Sequence, residues 1–422
     1  MRLSPRQQHI ASYGGRKYRT TAVSGPIGSG KTFGAAVGFL LETQRWGGAE
    51  FGILCKSHGQ LSSLRRECLE RVLDIEIHLD AEGTFVLPGA NGMENRYRCF
   101  VAQNTGAEPR LRSYNLSGGF ADELTTLPPG ILDAFNGRVR VGEHAKIIGC
   151  TNPDGPRHPV KIKLFDKAEG GTRYDPEESI EAFYTELADN ETLPASYIQS
   201  IKARYTGHML QRMVYGRWVA ATGLVYPRAL EFSELSPNEE MLIHDVVIDV
   251  GESSVTCALL FGRTPSGKTW VLDEWVHDHR LSGKLTERQL VGAIIHAWPG
   301  VKIHSYMVDP AAKRFRVELQ RQLGPHAIVG KAENDWDEGV EEVNYWFASD
   351  ALYIDGDRCP QLLDTAGALT WDEEQAEIGN DVPTKVADHL TDCLRYGVLT
   401  RAIHEAGGRE VWEAKRRQAR DT

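Results

Sequence analysis

The chain is poor in the features that announce a secreted, membrane-bound or metal-stapled protein. It has seven cysteines in 422 residues, scattered without a Cys-x-x-Cys pair. That argues against structural zinc and points to reduced thiols in a cytosolic setting. No apolar run approaches the ~20 residues that a membrane helix needs. The opening MRLSPRQQHIASYGGRKYR carries charge but no apolar core, so it does not read as a secretory signal. Internal repeats and low-complexity tracts are absent. A surplus of positive charge is missing too: the net charge is −10, which argues against a nucleic-acid partner until the distribution is considered. Acids cluster at Asp335–Glu342 and Asp372–Glu377, bases at Arg16–Arg19, Arg138–Arg140, Lys161–Lys167 and Lys415–Arg420. An acidic protein of this kind can still present a basic face.

What is present begins almost at once. Residues 25–32 read GPIGSGKT, directly after the apolar Thr21-Ala22-Val23. Glycines free the backbone to cradle phosphate oxygens with successive N–H groups. Gly25, Gly28, Ser29 and Gly30 would form the cradle, Lys31 would reach the β- and γ-phosphates, and Thr32 would hold Mg²⁺ through its hydroxyl. A helix over Phe33–Leu41 would point its positive end at the phosphates. The pattern implies a bound nucleoside triphosphate.

The first half alternates short apolar strands with helical stretches. Strands are expected at Phe51–Cys55, Tyr97–Ala102, Leu116–Ala121 and Ala145–Cys150, and a helix at Gln60–Leu73. The alternation predicts an α/β layer fold with a mainly parallel sheet, whose ligands bind at the carboxyl ends of the strands. Asp122 and Glu123 fall at one such end. Asp122 suits a carboxylate acting on Mg²⁺, and Glu123 one that orients or deprotonates the attacking water. Thr151 and Asn152 end the next strand, as γ-phosphate sensors or as a plain Thr-Asn-Pro turn. Arg112, with Arg110 second, is either an arginine finger or a solvated loop residue. Gln7 either reads the adenine edge or caps a helix.

Residues 222–240 mix Gly, Pro and acids without clear periodicity, and 226–240 are expected to link domain 1–225 to domain 241–422. The second half restarts with strands at Asp245–Val250, Val255–Gly262, Thr269–Val276 and Tyr306–Val308, and closes with a helix over Val386–Ala402. Asp249 and Asp309 ride on or end strands, while Asp388, His389 and Asp392 share one helical face. Converging carboxylates repel unless a cation sits between them. Asp249, Asp309 and Asp392 would make a site for two Mg²⁺ or Mn²⁺ ions of the kind that cleaves phosphodiesters; separate surface acids are the alternative.

Taken in order, these landmarks resemble the large terminase subunit of tailed double-stranded DNA bacteriophages. The matching segments are Gln7, GPIGSGKT, GGFADE (118–123), CTNP (150–153), YGRWVAATGLVYP (215–227), VVIDVG around Asp249, MVDPAAK around Asp309 and DHLTDCLRYGV around Asp392. The resemblance runs over nearly the whole chain. It implies a P-loop ATPase and translocase domain followed by an RNase H-like α/β endonuclease domain. The cofactors would be ATP with Mg²⁺, and a pair of Mg²⁺ or Mn²⁺ ions at the nuclease site. His389 falls where some members place a histidine near those metals. The implied partners are double-stranded DNA, the portal protein, a small terminase subunit and further copies in a ring on the prohead, all in the host cell cytoplasm. Two positions depart from the pattern. Pro26 and Ile27 stand where many relatives carry an arginine, which makes Arg112 from a neighbouring subunit the more attractive finger, and Cys393 stands where alanine is frequent.

Overall fold

The computed structural model describes residues 3–421 except 16–17, 143–144, 167–171, 176–179, 232–234, 236–238, 252–254 and 385–387; side chains of 172–175 and 417–421 are likewise outside the description. Arg16, Lys167, part of the expected 226–240 linker, Val386 and the side chains of Arg417 and Arg420 therefore lie outside the described residues. Two sheets organise the chain.

The first sheet has eight strands: β1 (Thr20–Ser24), β2 (Glu50–Cys55), β3 (Thr84–Pro88), β4 (Glu94–Val101), β5 (Gly118–Asp122), β6 (Lys146–Thr151), β7 (Thr172–Asp175) and β8 (Ile180–Tyr184). Their order is β3-β4-β2-β5-β6-β1-β8-β7, and every pair is parallel except the two edges, β3 on β4 and β7 on β8. The inner strands are continuous apolar runs because both faces are covered. Ile53, Phe120 and Ile148 pack under one layer, Leu54, Ala121 and Ile147 under the other. This order sets the carboxyl ends of β5, β6 and β1 side by side, and these ends carry the candidate nucleotide residues.

Helix α1 (Pro5–Ala11) opens with a capping box in which Ser4 and Gln7 satisfy each other's backbone N–H groups, and helix α2 (Lys31–Thr43) starts inside the glycine loop. The expected helix over 60–73 is one helical stretch, with a wider π turn at Leu64–Glu70.

The second sheet runs β13-β12-β9-β10-β11-β14, from β9 (Ile243–Val250), β10 (Val255–Arg263), β11 (Thr269–Asp278), β12 (Ser305–Val308), β13 (Ile328–Lys331) and β14 (Leu352–Ile354). Three strands form an antiparallel meander; β12 and β13 add in parallel beside β9. This is the order that an RNase H-like domain implies. The last long helix runs His389–Ala406 and packs on β9 and β10, where Gly397 gives room for the Phe261 ring. A buried pair fastens this helix to the sheet: Arg401 Nη2 donates to Asp245 Oδ2 at 2.6 Å. All seven cysteines are free and buried. Among the described residues, no helix is long and apolar enough to cross a membrane.

Candidate functional sites

Backbone geometry explains the glycines of the 25–32 loop. Gly28 and Gly30 take φ of +77° and +79°, a region costly for residues with a Cβ. Gly25 N–H donates to Thr151 O at 3.2 Å, and Ser29 Oγ accepts from Thr185 Oγ1 at 2.9 Å. These bonds tie the loop to β6 and to the end of β8. Lys31 is buried, and its ammonium donates to Asn152 Oδ1 at 2.6 Å and to Pro26 O at 3.2 Å.

The same Asn152 turns its amide to Glu123, with Nδ2 3.3 Å from Oε1. Glu123 sits at φ +52°, a strained position for a residue other than glycine, and strain of this kind persists where the surroundings hold it. Thr32 Oγ1 faces Asp122 Oδ1 at 3.5 Å, and Cys150 Sγ donates to the same oxygen at 3.0 Å. Burial, reinforced by the neighbouring Glu123 charge, pushes the Asp122 carboxyl up to about 6. A buried carboxylate opposite a hydroxyl, with a thiol as its close side-chain donor, fits a hard divalent cation.

Gln7 completes the capping box of α1 and also reaches Gly30 O with Nε2 at 3.5 Å, which sets it against the phosphate loop. Thr151 behaves differently from its neighbour. Its hydroxyl is 2.8 Å from Thr125 Oγ1, so it fastens the loop after β5, and Asn152 alone of the pair turns to the lysine and the glutamate. Arg112 is not brought to the loop of its own chain. It is exposed and pairs with Glu108 one helical turn back, while its carbonyl accepts from Arg138 at 3.2 Å.

The second centre lies at the ends of β9 and β12. Parallel pairing sets Val308 against Ile248, and Asp309 N–H continues the ladder to Ile248 O at 2.9 Å. Asp309 thus stands beside Asp249. From the helix, His389 Nδ1 lies 2.7 Å from Asp249 Oδ2 and Arg395 Nη2 donates to Asp392 Oδ1 at 2.6 Å. Asp388 is the residue before the helix, and its carbonyl accepts from Asp392 N–H at 2.8 Å.

Burial pushes Asp392 up to about 6 against the pull of Arg395, and raises Asp309 with Asp249 adding to it. The hydrogen bond to Asp249 raises His389. The acids therefore feel one another, and oxygen donors of this type suit Mg²⁺ or Mn²⁺. Even so, among the described residues no three His, Cys, Asp or Glu side chains converge as a ready ligand set. Arg395 already supplies counter-charge to Asp392, and His389 is already hydrogen-bonded to Asp249.

The quoted motifs CTNP and DHLTDCLRYGV contain Cys150 and Arg395 but gave neither a role. Arg395, three residues after Asp392, was legible from helical spacing. Cys150 meets Asp122 only through strand pairing of β5 with β6.

No protein-family model matches the chain, and no curated protein matches it by sequence. Solved structures do. The large terminase of a thermophilic bacteriophage (crystal form 2) is similar at 23% identity and a TM-score of 0.78, over 94% of this chain and 98% of that one. The same terminase in complex with ADP gives 23% identity and 0.77, over 94% and 99%. Its complex with ATP-gamma-S gives 23% and 0.75, over 94% and 99%. Through nearly its whole length, the chain has the fold of that large terminase.

Proposed function

We propose that this chain is the large subunit of a phage DNA-packaging motor, with an ATPase and translocase domain at 1–225, a linker at 226–240 and a metal-dependent endonuclease domain at 241–422. The observation that carries the reading is the network Lys31–Asn152–Glu123 at the joined ends of β1, β5 and β6, on a fold similar to a terminase solved with ADP and with ATP-gamma-S.

In this reading the loop amides and Lys31 hold the triphosphate, and Glu123 orients or deprotonates the attacking water. Asn152 ties the position of that base to the lysine. Thr32 and Asp122 would hold Mg²⁺, which neutralises charge between the β- and γ-phosphates. Arg112, turned to Glu108 and not to the pocket of its own chain, serves the pocket of a neighbouring copy in a ring. DNA is gripped through its phosphates, so binding weakens with salt and ignores sequence. Asp249, Asp309 and Asp392, with Asp388 and His389 beside them, would hold Mg²⁺ or Mn²⁺, which supplies activated water and charge stabilisation for strand cleavage. The portal protein and a small terminase subunit are the expected partners, in the host cell cytoplasm.

A second reading is a translocase or helicase that does not cut. It is favoured by the partners that Asp249 and Asp392 already have, the His389 imidazole and the Arg395 guanidinium. Plasmid nicking in Mn²⁺ separates the two. Cleavage lost in Asp392→Asn and kept in Lys31→Ala supports two centres; no cleavage by the unmodified chain leaves only the motor.

A further inference from the structure

The helix His389–Ala406 carries one more polar group to the second centre than the acids and their partners account for. Helical side chains lean toward the N-terminal end of their helix, over the residue one turn earlier. Tyr396 comes one turn after Asp392, which directs its ring back along the face of that aspartate, toward the helix end that meets Asp249. The ring is buried, at 6% exposure, and the Arg395 guanidinium carbon lies 4.7 Å from its centroid.

The electrostatics agree with that placement. Burial raises the Tyr396 phenol, and the charges of Asp392, Asp249 and Asp309 add to it against the pull of Arg395. Carboxylates from β9, from the end of β12 and from the helix all act on one hydroxyl. That hydroxyl therefore lies where the three elements meet, and it keeps its proton.

The neighbouring donors are already committed. Arg395 gives Nη2 to Asp392 and Nη1 to the carbonyls of Asn334 and Asp335, at 2.7 and 3.0 Å. His389 Nδ1 is engaged with Asp249. The Tyr396 hydroxyl has no hydrogen-bond partner among the described residues and is not sealed from solvent. Tyr226 is the contrast. Burial raises its phenol, with Arg395, Asp392 and Asp388 acting on it as well, but its hydroxyl is sealed away without a partner.

A phosphodiester brought against three aspartates meets like charge at its non-bridging oxygens. A neutral O–H donor offsets that repulsion without competing for the carboxylates, as another cation would. Its hydrogen bond strengthens as charge builds on those oxygens in the transition state. In the hydrolysis a water oxygen bonds to phosphorus, an ester P–O bond breaks, and the leaving oxygen ends with a proton that the water gave up. The phenol keeps its own proton throughout. We propose that Tyr396 is a further catalytic residue of the cleavage centre, its hydroxyl donating to a non-bridging oxygen of the scissile phosphodiester. The assignment rests on the reading of 241–422 as an endonuclease.

The test sets Tyr396→Phe against the unmodified full chain. Plasmid nicking is followed at saturating Mn²⁺, and Mn²⁺ binding without DNA is titrated by electron paramagnetic resonance of the free ion. Phenylalanine keeps the ring against Arg395 and removes only the hydroxyl. Nicking at saturating Mn²⁺ should fall by about 10²-fold while Mn²⁺ affinity stays unchanged. Tyr226→Phe, which loses a sealed hydroxyl, should nick at the unmodified rate. Unreduced nicking by Tyr396→Phe overturns the assignment. So does a loss that extra Mn²⁺ restores, because the tyrosine would then be holding an acid and not touching substrate. An equal loss in Tyr226→Phe overturns it too, since a sealed hydroxyl cannot reach the phosphate. An unmodified chain that does not nick removes the endonuclease reading and the assignment with it.

Discussion

The two sheets present their polar ends in opposite ways. At the first, the lysine, the asparagine and the glutamate are linked by hydrogen bonds through a neutral side chain, and the side chain donating closely to Asp122 is a thiol. At the second, side chains from the same helix sit directly on the acids: the Arg395 guanidinium on Asp392 and the His389 imidazole beside Asp249. A neutral bridge leaves the charges of the first site available for a ligand. In the proposed reading, the Arg395 guanidinium would have to be displaced or shared before the second site took a cation.

The sharpest way to break this contrast is at Glu123. Glu123→Gln keeps the amide bridge to Asn152 but removes the proposed base. Turnover of ATP should fall by about 10³-fold while ATP binding persists. A fall in affinity that accounts for the whole loss would mean that Glu123 serves binding. Mn²⁺-dependent nicking should be unchanged.

The next effect is on stability, and it separates fixed from displaceable counter-charge within the second sheet. Arg401 and Asp245 are both buried, and burial lowers the Arg401 pKa. Arg401→Ala leaves Asp245 with Ser305 Oγ, at 2.6 Å, as its remaining side-chain donor among the described residues. The domain should lose about 3 kcal/mol or more, read by calorimetry as a lower melting transition. Arg395→Ala, at a carboxylate that is 20% exposed, should cost less. Equal losses would show that Arg395 is fixed structure too.

These sites differ in how far the chain alone disclosed them. β1, β2, β5 and β6 were legible because both faces are buried and the runs are nearly all apolar. β8 was not, since IEAFY places Glu181 in a buried strand position, where it accepts from Thr21 Oγ1 at 2.8 Å. Residues 25–32, Asp122, Glu123 and Asn152 were legible because a loop and strand ends carry them in a known spacing. The aspartates came mainly from family resemblance, because β9, β12 and the helix that carry them are far apart in sequence. Arg212, Asp154 and Asp381 gave no local signal: charged residues so distant in sequence pair only once the chain has folded.

The joint between the sheets offers a third prediction, in pH. Burial holds His208 down at about 4 and raises Asp154 to about 6, with Arg212 and Asp381 facing both. The unfolded histidine titrates near 6.5, so the contribution of neutral His208 is whole above that pH and is lost as pH falls toward about 4. Asp154 works the other way: its contribution is present at low pH and is lost as pH rises through about 6. The two slopes oppose each other. His208→Gln removes one, so the advantage of the unmodified chain over the variant should grow by about 2 kcal/mol between pH 4 and 6.5. Urea melts at both pH values measure it, and a pH-independent difference would mean that His208 acts only by packing on Trp371.

The smallest effect tests the thiol at Asp122. Burial pushes the Cys150 thiol well up, so it remains an S–H donor at neutral pH. It donates to the same carboxylate oxygen that Thr32 faces. A neutral donor of this kind contributes about 1 kcal/mol, so Cys150→Ala should lower turnover by about fivefold. Because the thiol orients Asp122 and does not touch nucleotide, the loss should appear as a higher Mg²⁺ requirement with ATP affinity unchanged. Cys150→Ser restores a donor and should recover most of the rate. If serine and alanine behave alike, the thiol matters for its volume between β5 and β6, and Asp122 is held by its burial alone.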